Sequence, residues 1–209
     1  MAGKILFSVV LMGSITPAFS QQVPVIEVLS RITRCSVEQG VASGSIDPEF
    51  QREQIALFHA DPQPAGHPLL RKDILDKGSL IEQGFQDLQT GAITVIRHDS
   101  RQILVNRPSP QPSNPLPEGY RFRFDPAKFR APRLNDRNIA GRPAACFQTT
   151  LGISCKDLAT GIDLYAERCS AKEGWCTRTE AYSVRSGLQK EAQELIPSMP
   201  DGYAVAHLP

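Results

Sequence analysis

The sequence predicts an α+β protein made of two small antiparallel β-meanders with flanking helices, joined by a proline-rich linker. Three observations lead to this class. Short β-rich runs alternate with turn residues in both halves, two N-terminal segments show helical spacing or caps, and four of the five cysteines lie between residues 146 and 176. The cysteines predict that disulfide bonds stabilise the C-terminal half. Hydrophobic residues make up 41% of the chain, which is ordinary for a globular protein.

Residues 1–20 have the features of a secretory signal peptide. Lys4 precedes an apolar run over residues 5–12, and small residues stand at the positions that signal peptidase reads. This run is far shorter than the roughly 20 residues that a membrane span needs. The sequence therefore predicts cleavage near Ser20 and a soluble mature protein in the periplasm or outside the cell. In such a compartment cysteines are expected to form disulfides.

Residues 21–105 are expected to form a helical part followed by a three-stranded antiparallel sheet. Apolar residues recur at helical spacing over residues 25–40, although the β-branched content makes a strand a competitor. Residues 45–62 carry stronger helix signals, with Asp47 as the N-cap and Pro48 at the first helical position.

A shorter helix is expected at residues 68–76, and the pattern then changes. Three β-rich runs follow, at residues 80–88, 92–98 and 102–106. Their short connections predict antiparallel pairing, because parallel strands need a long crossover.

Residues 106–132 contain seven prolines and mark the boundary between the two parts. Proline fixes its own φ and donates no backbone hydrogen bond, so this segment is expected to be extended and to act as a semi-rigid spacer. Recognition by a proline-binding groove is the alternative.

Residues 133–209 are expected to form a second antiparallel meander and a C-terminal helix over residues 186–200, with Ser186 as a cap candidate. Two local disulfides are favoured by the short spacings: Cys146–Cys155 and Cys169–Cys176. Pairing of Cys155 with Cys169 stays open, since four cysteines allow three connectivities. Cys35 is the odd cysteine, and the chain lacks the C-x-x-C spacing of a redox pair or zinc site.

The pentapeptide D-L-x-T-G occurs twice, at residues 87–91 and 157–161. Asp and Thr side chains accept hydrogen bonds from nearby backbone N–H groups, and Gly reaches the left-handed conformation, so each copy predicts a hairpin turn. A metal or phosphate loop would need more acidic residues or glycines. The flanks of the two copies do not match, so two unrelated hairpins and an internal repeat explain the pattern equally well.

One segment departs from the balanced charge of the chain. Removing the leader brings the formal net charge from +1 to 0, which argues against nucleic acid as a partner. Residues 107–142 nevertheless carry a local charge of +5, and residues 47–90 one of −4. Within the basic segment, arginines alternate with aromatic residues. An edge strand, with rings inward and arginines in water, explains this alternation.

The sharper hypothesis is that the basic segment forms a docking surface for an acidic partner, since Arg and aromatic residues are enriched at interfaces. The candidate ligand is a partner protein, an anionic lipid head group or an acidic glycan, and self-association is an alternative. The candidate partner-binding residues are Arg121, Phe122, Arg123, Phe124, Lys128, Arg130 and Arg133.

No catalytic, cofactor or metal site is predicted. The chain lacks G-x-S-x-G, H-E-x-x-H and a glycine-rich phosphate loop, and the His-Asp-Ser run at residues 98–100 is better explained as a turn than as a triad. The sequence favours an exported, soluble, non-enzymatic protein that binds a macromolecular partner. The alternatives are a small exported hydrolase with a carboxylate and histidine site, or a secreted effector or inhibitor.

Overall fold

The computed structural model describes residues 21–38, 41–61, 67–106, 123–170 and 172–207. The expected signal peptide and most of the proline-rich linker lie outside these residues. The described residues form twelve strands and two short 3₁₀ turns, at Pro126–Lys128 and Ala192–Leu195. The strands are β1 (Gln22–Glu38), β2 (Val41–His59), β3 (Leu69–Asp76), β4 (Ser79–Asp87), β5 (Ile93–Arg97), β6 (Gln102–Val105), β7 (Arg137–Ile139), β8 (Arg142–Thr149), β9 (Gly152–Asp157), β10 (Asp163–Ser170), β11 (Trp175–Glu191) and β12 (Ala204–His207).

All twelve strands belong to one sheet, in the order β12-β6-β5-β4-β3-β2-β1-β11-β10-β9-β8-β7. Neighbouring strands are antiparallel except for β6 and β12, which are parallel. The expected α+β class with flanking helices is therefore wrong. The predicted meander of β4, β5 and β6 is present, but β1 and β2 pair with each other and connect both halves into a continuous sheet. Within the described residues, no helix is long and apolar enough to cross a membrane.

The helix expected at residues 45–62 is strand β2, and its start signals belong to a large bulge. Thr33 pairs with Gln51 and Cys35 with Ile46, so one residue of β1 faces four residues of β2. Asp47 lies in this bulge, where its Oδ1 accepts a hydrogen bond from the Glu49 N–H at 3.0 Å. A bulge tolerates proline because the ladder is already interrupted there, so Asp47-Pro48 shapes a strand irregularity and not a helix.

The other expected helices are strands as well. Residues 25–38 belong to β1, which pairs with β2 on one side and β11 on the other. Residues 69–76 form β3, and β11 continues to Glu191, leaving a 3₁₀ turn as the only helical part of the expected C-terminal helix among the described residues. Each segment finds its partner far away in the chain, and this pairing overrides its local preference.

The sheet contains two hairpins with the same register. We call β3–β4 with its following turn the N-terminal hairpin, and β8–β9 with its following turn the C-terminal hairpin. Leu69 pairs with Asp87 in the first, and Ala144 with Asp157 in the second. In each, the residue after the Asp donates its N–H at 3.0 Å to the carbonyl of a proline, Pro68 or Pro143. The run β6 to β2 and the run β11 to β7 therefore follow one plan across the sheet.

Both D-L-x-T-G segments are hairpin turns, as the sequence predicts. Gly91 and Gly161 each adopt a φ of +73°, and their N–H groups donate to the carbonyls of Asp87 and Asp157 at 2.9 and 2.8 Å. Each Asp carboxylate accepts backbone N–H groups of its own turn. The left-handed φ explains why both turns require glycine.

The sheet curves strongly, so one face is concave. β3 and β10 are four strands apart, which is about 19 Å in a flat sheet. Yet Lys72 Nζ on β3 lies 3.8 Å from Asp163 Oδ2 on β10. A hydrophobic cluster that includes Val28, Ala56 and Leu164 forms the main core.

Candidate functional site

A polar cleft of about 440 Å³ occupies the concave face next to the hydrophobic cluster. Direct strand pairing places its side chains in rows. In one row, Thr177 of β11 lies between Arg34 of β1 and Arg168 of β10. Because directly paired residues share a face of the sheet, both arginines point to the concave side. The cleft is lined by these residues together with Ile32, Phe50, Arg52, Gln54, Lys72, Ile74, Glu82, Asp163, Ala166 and Thr179.

Arg34 is held between two aromatic rings. Its guanidinium carbon lies 4.1 Å from the centroid of Phe50 and 4.4 Å from that of Trp175. Phe50 belongs to the β2 bulge, so that irregularity places the ring over the guanidinium. Stacking of this kind orients the charge without neutralising it. The Nε of Arg34 is buried and has no hydrogen-bond partner among the described residues.

Three charged side chains bridge the floor of the cleft. Asp163 Oδ1 accepts hydrogen bonds from Lys156 Nζ and Ser154 Oγ, both at 2.8 Å, and its Oδ2 faces Lys72. Burial alone would raise the pKa of Asp163, but Lys156 and Lys72 together hold it below its ordinary value. Burial lowers the pKa of Lys72, against the opposing attraction of Asp163. The single carboxylate of Asp163 therefore interacts with the ammonium groups of both Lys156 and Lys72.

The acidic residues of the cleft are already paired. Arg52 Nε lies 3.3 Å from Asp76 Oδ2, and Arg97 Nε lies 3.2 Å from Glu82 Oε2. Within the described ranges, no carboxylate lies within ion-pair distance of Arg34 or Arg168, and Arg168 is exposed. This part of the cleft therefore carries uncompensated positive charge.

The described residues 123–130 of the basic segment form one wall of this concave face. We call residues 123–130 the strap. Phe129 packs on Phe147 of β8 with ring centroids 4.5 Å apart, and Phe124 lies edge-on to both rings. Phe129 and Arg168 line a second recess of about 230 Å³, which adjoins the cleft through Asp163. The strap thus extends the positive surface beside Arg168.

The structure separates the sequence-predicted residues into packing and exposed groups. Phe124 is half-buried, while Arg123, Lys128 and Arg130 are exposed. Lys128 Nζ lies 3.7 Å from Asp125, and Arg133 forms a two-pronged pair with Asp136. The rings face the sheet and the charges face solvent, but residues 123–130 are irregular backbone with a 3₁₀ turn at Pro126–Lys128 and not an edge strand. Arg121 and Phe122 lie outside the described residues, and partner binding by this set stays a proposal.

The structure contains the disulfides Cys146–Cys155 and Cys169–Cys176, the two pairs that the spacing favours. Cys35 is a free, buried thiol.

The histidines do not converge in the described part of the chain. His59 is buried and bonds the Pro24 carbonyl through Nδ1 at 2.8 Å, and His98 lies between Tyr203 and Gln83 at 3.1 Å from each. No group of three or more potential metal ligands occurs among the described residues.

Sequence reasoning missed Arg34 and Arg168, which are the central residues of the cleft. The only local signal is their position on a face of alternating strand residues, and Arg34 lay in a predicted helix. Bringing them into one row requires the pairing of β1, β11 and β10, which no short-range pattern encodes.

No protein-family model and no curated protein matches the chain. Among solved structures, it is similar to MucB in complex with MucA(peri), at 15% identity over 84% of this chain and 54% of that one, with a TM-score of 0.39. The Pseudomonas aeruginosa MucA/MucB complex matches at 15% identity over 86% and 56%, with a TM-score of 0.40. An uncharacterized conserved protein from Thermus thermophilus matches at 12% identity over 87% and 91%, with a TM-score of 0.40. The chain spans just over half the length of these MucB structures, and similarity at this level assigns it neither an activity nor a partner.

Proposed function

We propose that this chain is an exported, non-enzymatic protein that binds an acidic segment of a partner protein in its concave cleft. The uncompensated charge of Arg34 and Arg168 is the observation that carries the proposal. Arg34 on β1 and Arg168 on β10 lie two strands apart in the sheet, which separates them by about 10 Å. Carboxylates spaced along an extended peptide can reach both guanidinium groups.

The surroundings of these arginines support binding of a large ligand. The aromatic clamp on Arg34 fixes one guanidinium before the ligand arrives, which lowers the entropic cost of association. The strap adds the exposed side chains of Arg123, Lys128 and Arg130 beside the cleft. Such a surface steers an acidic partner by long-range attraction and then binds it through charge-assisted hydrogen bonds.

Export is supported by two kinds of observation. Two disulfides form between neighbouring strands, and such bonds are typical of oxidising compartments. The leader features of residues 1–20 point in the same direction. Both observations support a periplasmic or extracellular location.

The experiment compares charge reversals on the concave side, where the cleft and the strap lie, with a charge reversal on the convex face. Arg168→Glu and the double variant Arg123→Glu/Arg130→Glu should weaken binding of a fluorescent Asp- and Glu-rich peptide by at least about tenfold, since reversing one contact charge costs more than about 1.4 kcal/mol. Arg137→Glu is the matched control. It belongs to the same basic segment, but its guanidinium stacks on Tyr165, which points to the convex face.

An equal loss of peptide affinity in the Arg137→Glu control would reject the cleft as the binding site. Unchanged peptide affinity in Arg168→Glu would reject it as well. Stronger binding to anionic vesicles or to an acidic glycan than to the peptide would reject a protein partner. Photo-crosslinking from position 168 in the native host then identifies the bound protein.

A further inference from the structure

Three cysteines form one row across three neighbouring strands. Cys176 of β11 pairs directly with Cys169 of β10 on one side and with Cys35 of β1 on the other. Cys169 and Cys176 form a disulfide, and Cys35 is a free thiol whose Sγ lies 3.6 Å from the carbonyl oxygen of Cys176. Directly paired residues share a face of the sheet, so all three sulfurs lie on the same side.

We propose that this row is a thiol–disulfide exchange site that makes Cys169 the position where the protein forms a mixed disulfide with an external disulfide. The Cys35 thiolate attacks Cys176 Sγ, so the Cys35–Cys176 bond forms and the Cys176–Cys169 bond breaks. The electron pair leaves on Cys169 Sγ. The Cys169 thiolate then attacks an external R–S–S–R, which forms Cys169–S–S–R and releases RS⁻. The proton lost by Cys35 ends on RS⁻, and the external disulfide is the oxidant: one protein thiol is oxidised to the mixed disulfide while R–S–S–R is reduced to one RSH.

The register decides which sulfur is attacked and which one leaves. Cys35 lies next to Cys176, whereas Cys169 lies one strand further away. Directly paired antiparallel residues have Cα atoms about 4.5 to 5.5 Å apart, within the range that a disulfide bridges. Exchange between Cys35 and Cys176 therefore needs side-chain rotation and little movement of the backbone.

Burial decides where an external reagent reacts. Cys35 is 2% exposed and Cys176 is fully buried, while Cys169 is half-buried. The free thiol of the resting protein is thus shielded, and exchange moves the thiol to the accessible end of the row.

A cationic side chain lies beside the row. Arg178 follows Cys176 by two residues on the same face and pairs with Glu167 at 3.0 Å. Burial opposes the charged guanidinium, but Glu167, Tyr165 and the negative form of Cys35 raise the pKa of Arg178. Arg178 pairs directly with Thr33 of β1, two residues before Cys35, so this cationic residue lies on the same face as the cysteine row and next to it.

The test uses oxidised glutathione as the probe on the folded, exported protein, followed by acid quenching and peptide mapping without reduction. Trypsin cuts after Arg34, Arg168, Lys172 and Arg178, so each cysteine of the row falls on a separate peptide. The expected product carries glutathione on Cys169 and a new link between Cys35 and Cys176. The Cys35→Ser and Cys35→Ala variants should lose the adduct and keep the Cys169–Cys176 bond.

Glutathione on Cys35 with the original bond intact would overturn the proposal, and so would wild-type protein without an adduct. Adducts on Cys146 or Cys155 would indicate general opening of the fold and would equally overturn it. Persistence of the Cys169 adduct in a folded Cys35 variant would show direct attack on the bond and would overturn the role of Cys35. The wild-type map decides the question alone if the Cys35 variants do not fold.

Discussion

The N-terminal and C-terminal hairpins share one backbone plan but are stabilised by different side chains. At the position three residues after the proline, the N-terminal hairpin has Arg71, which pairs with Phe85 and lies 5.7 Å from its ring. The same position in the C-terminal hairpin has Cys146, which is bonded to Cys155. A cation–π contact and a covalent bond thus occupy one site of the common register.

The Asp residues of the two turns also differ, because the one in the C-terminal hairpin is more buried and more strongly bonded. Asp87 is partly exposed, with His67 Nδ1 3.1 Å from its carboxylate. Asp157 is almost fully buried, where Arg142 donates two hydrogen bonds of 3.0 Å to it. The basic residue immediately precedes the proline in both hairpins.

The strap explains part of this difference. Phe124 covers Gly161, whereas no described atom beyond Gly91 and its two chain neighbours lies within 4 Å of the position that a Cβ of Gly91 would occupy. The C-terminal turn is therefore an anchor for the strap that borders the cleft, and its polar groups must be fully bonded because they are shielded from water. The comparison teaches that one sequence signature encodes the turn, while burial decides how much that turn contributes to stability.

The largest difference is expected between the two Asp residues. Asp157→Ala removes the buried acceptor of Arg142 and of the Thr160 N–H and hydroxyl groups, and should lower the free energy of unfolding by about 3 kcal/mol. Asp87→Ala leaves its donors partly hydrated and should cost about 1 kcal/mol. Urea denaturation measures both, and equal losses would contradict a role for burial.

The next difference concerns the equivalent cross-strand pairs. Removing the disulfide in the double variant Cys146→Ala/Cys155→Ala should cost about 2 to 3 kcal/mol, because the short closed loop loses its restriction in the unfolded state. Arg71→Ala should cost about 2 kcal/mol, because it removes two hydrogen bonds to the Asp73 carboxylate and the contacts with Phe85 and the Glu194 carbonyl. Thermal unfolding under non-reducing conditions compares them. A smaller shift for the double variant would mean that the non-covalent pair is the stronger one.

The two glycines give a smaller contrast. Both substitutions to alanine place a side chain at a left-handed φ, which costs about 1 kcal/mol. At Gly161 the new Cβ would also lie 2.8 Å from Phe124 Cβ, so the total should reach about 2 kcal/mol and the strap should shift. Unfolding experiments give the energies, and faster proteolysis near residue 124 in Gly161→Ala alone would report the strap. Matching proteolysis in Gly91→Ala would show that the strap does not depend on its anchor.

The sequence predicted the features that are determined locally. Turns at residues 87–91 and 157–161 depend on side chains that bond their own backbone, and Cys169 and Cys176 are brought together by a short loop. The prediction of helices was wrong because strand pairing is a long-range property. Val25 belongs to a run of apolar residues at helical spacing, yet it pairs with Leu188 near the other end of the chain.

The cleft could not be predicted for a related reason. Its residues come from separate strands, and its shape depends on the curvature of the whole sheet. Only the exposed charges of the strap, such as Arg123 and Arg130, were visible as a local pattern. The shared register of the hairpins was also hidden, because the two sequences agree at the turn and the proline but hardly between them.

The smallest difference concerns acid pH and Asp163 on β10, the strand after the C-terminal hairpin. Its equivalent on β5, the strand after the N-terminal hairpin, is Ile93, because each pairs with the residue just before the Asp of the turn. Despite the opposing effect of burial, Lys156 and Lys72 lower the pKa of Asp163, so the folded protein binds its proton less readily than the unfolded chain. This contribution to stability is complete above the unfolded pKa of about 3.9 and is lost as the pH falls through the folded value.

Asp163→Asn should therefore remove part of the decline in stability below about pH 4, whereas Ile93→Val, the matched change on β5, should leave the shape of the acid profile unchanged. Denaturant titrations at a series of pH values provide the measurement. Parallel acid profiles of wild type and Asp163→Asn would mean that the charged bridge across the cleft floor contributes nothing that depends on ionisation.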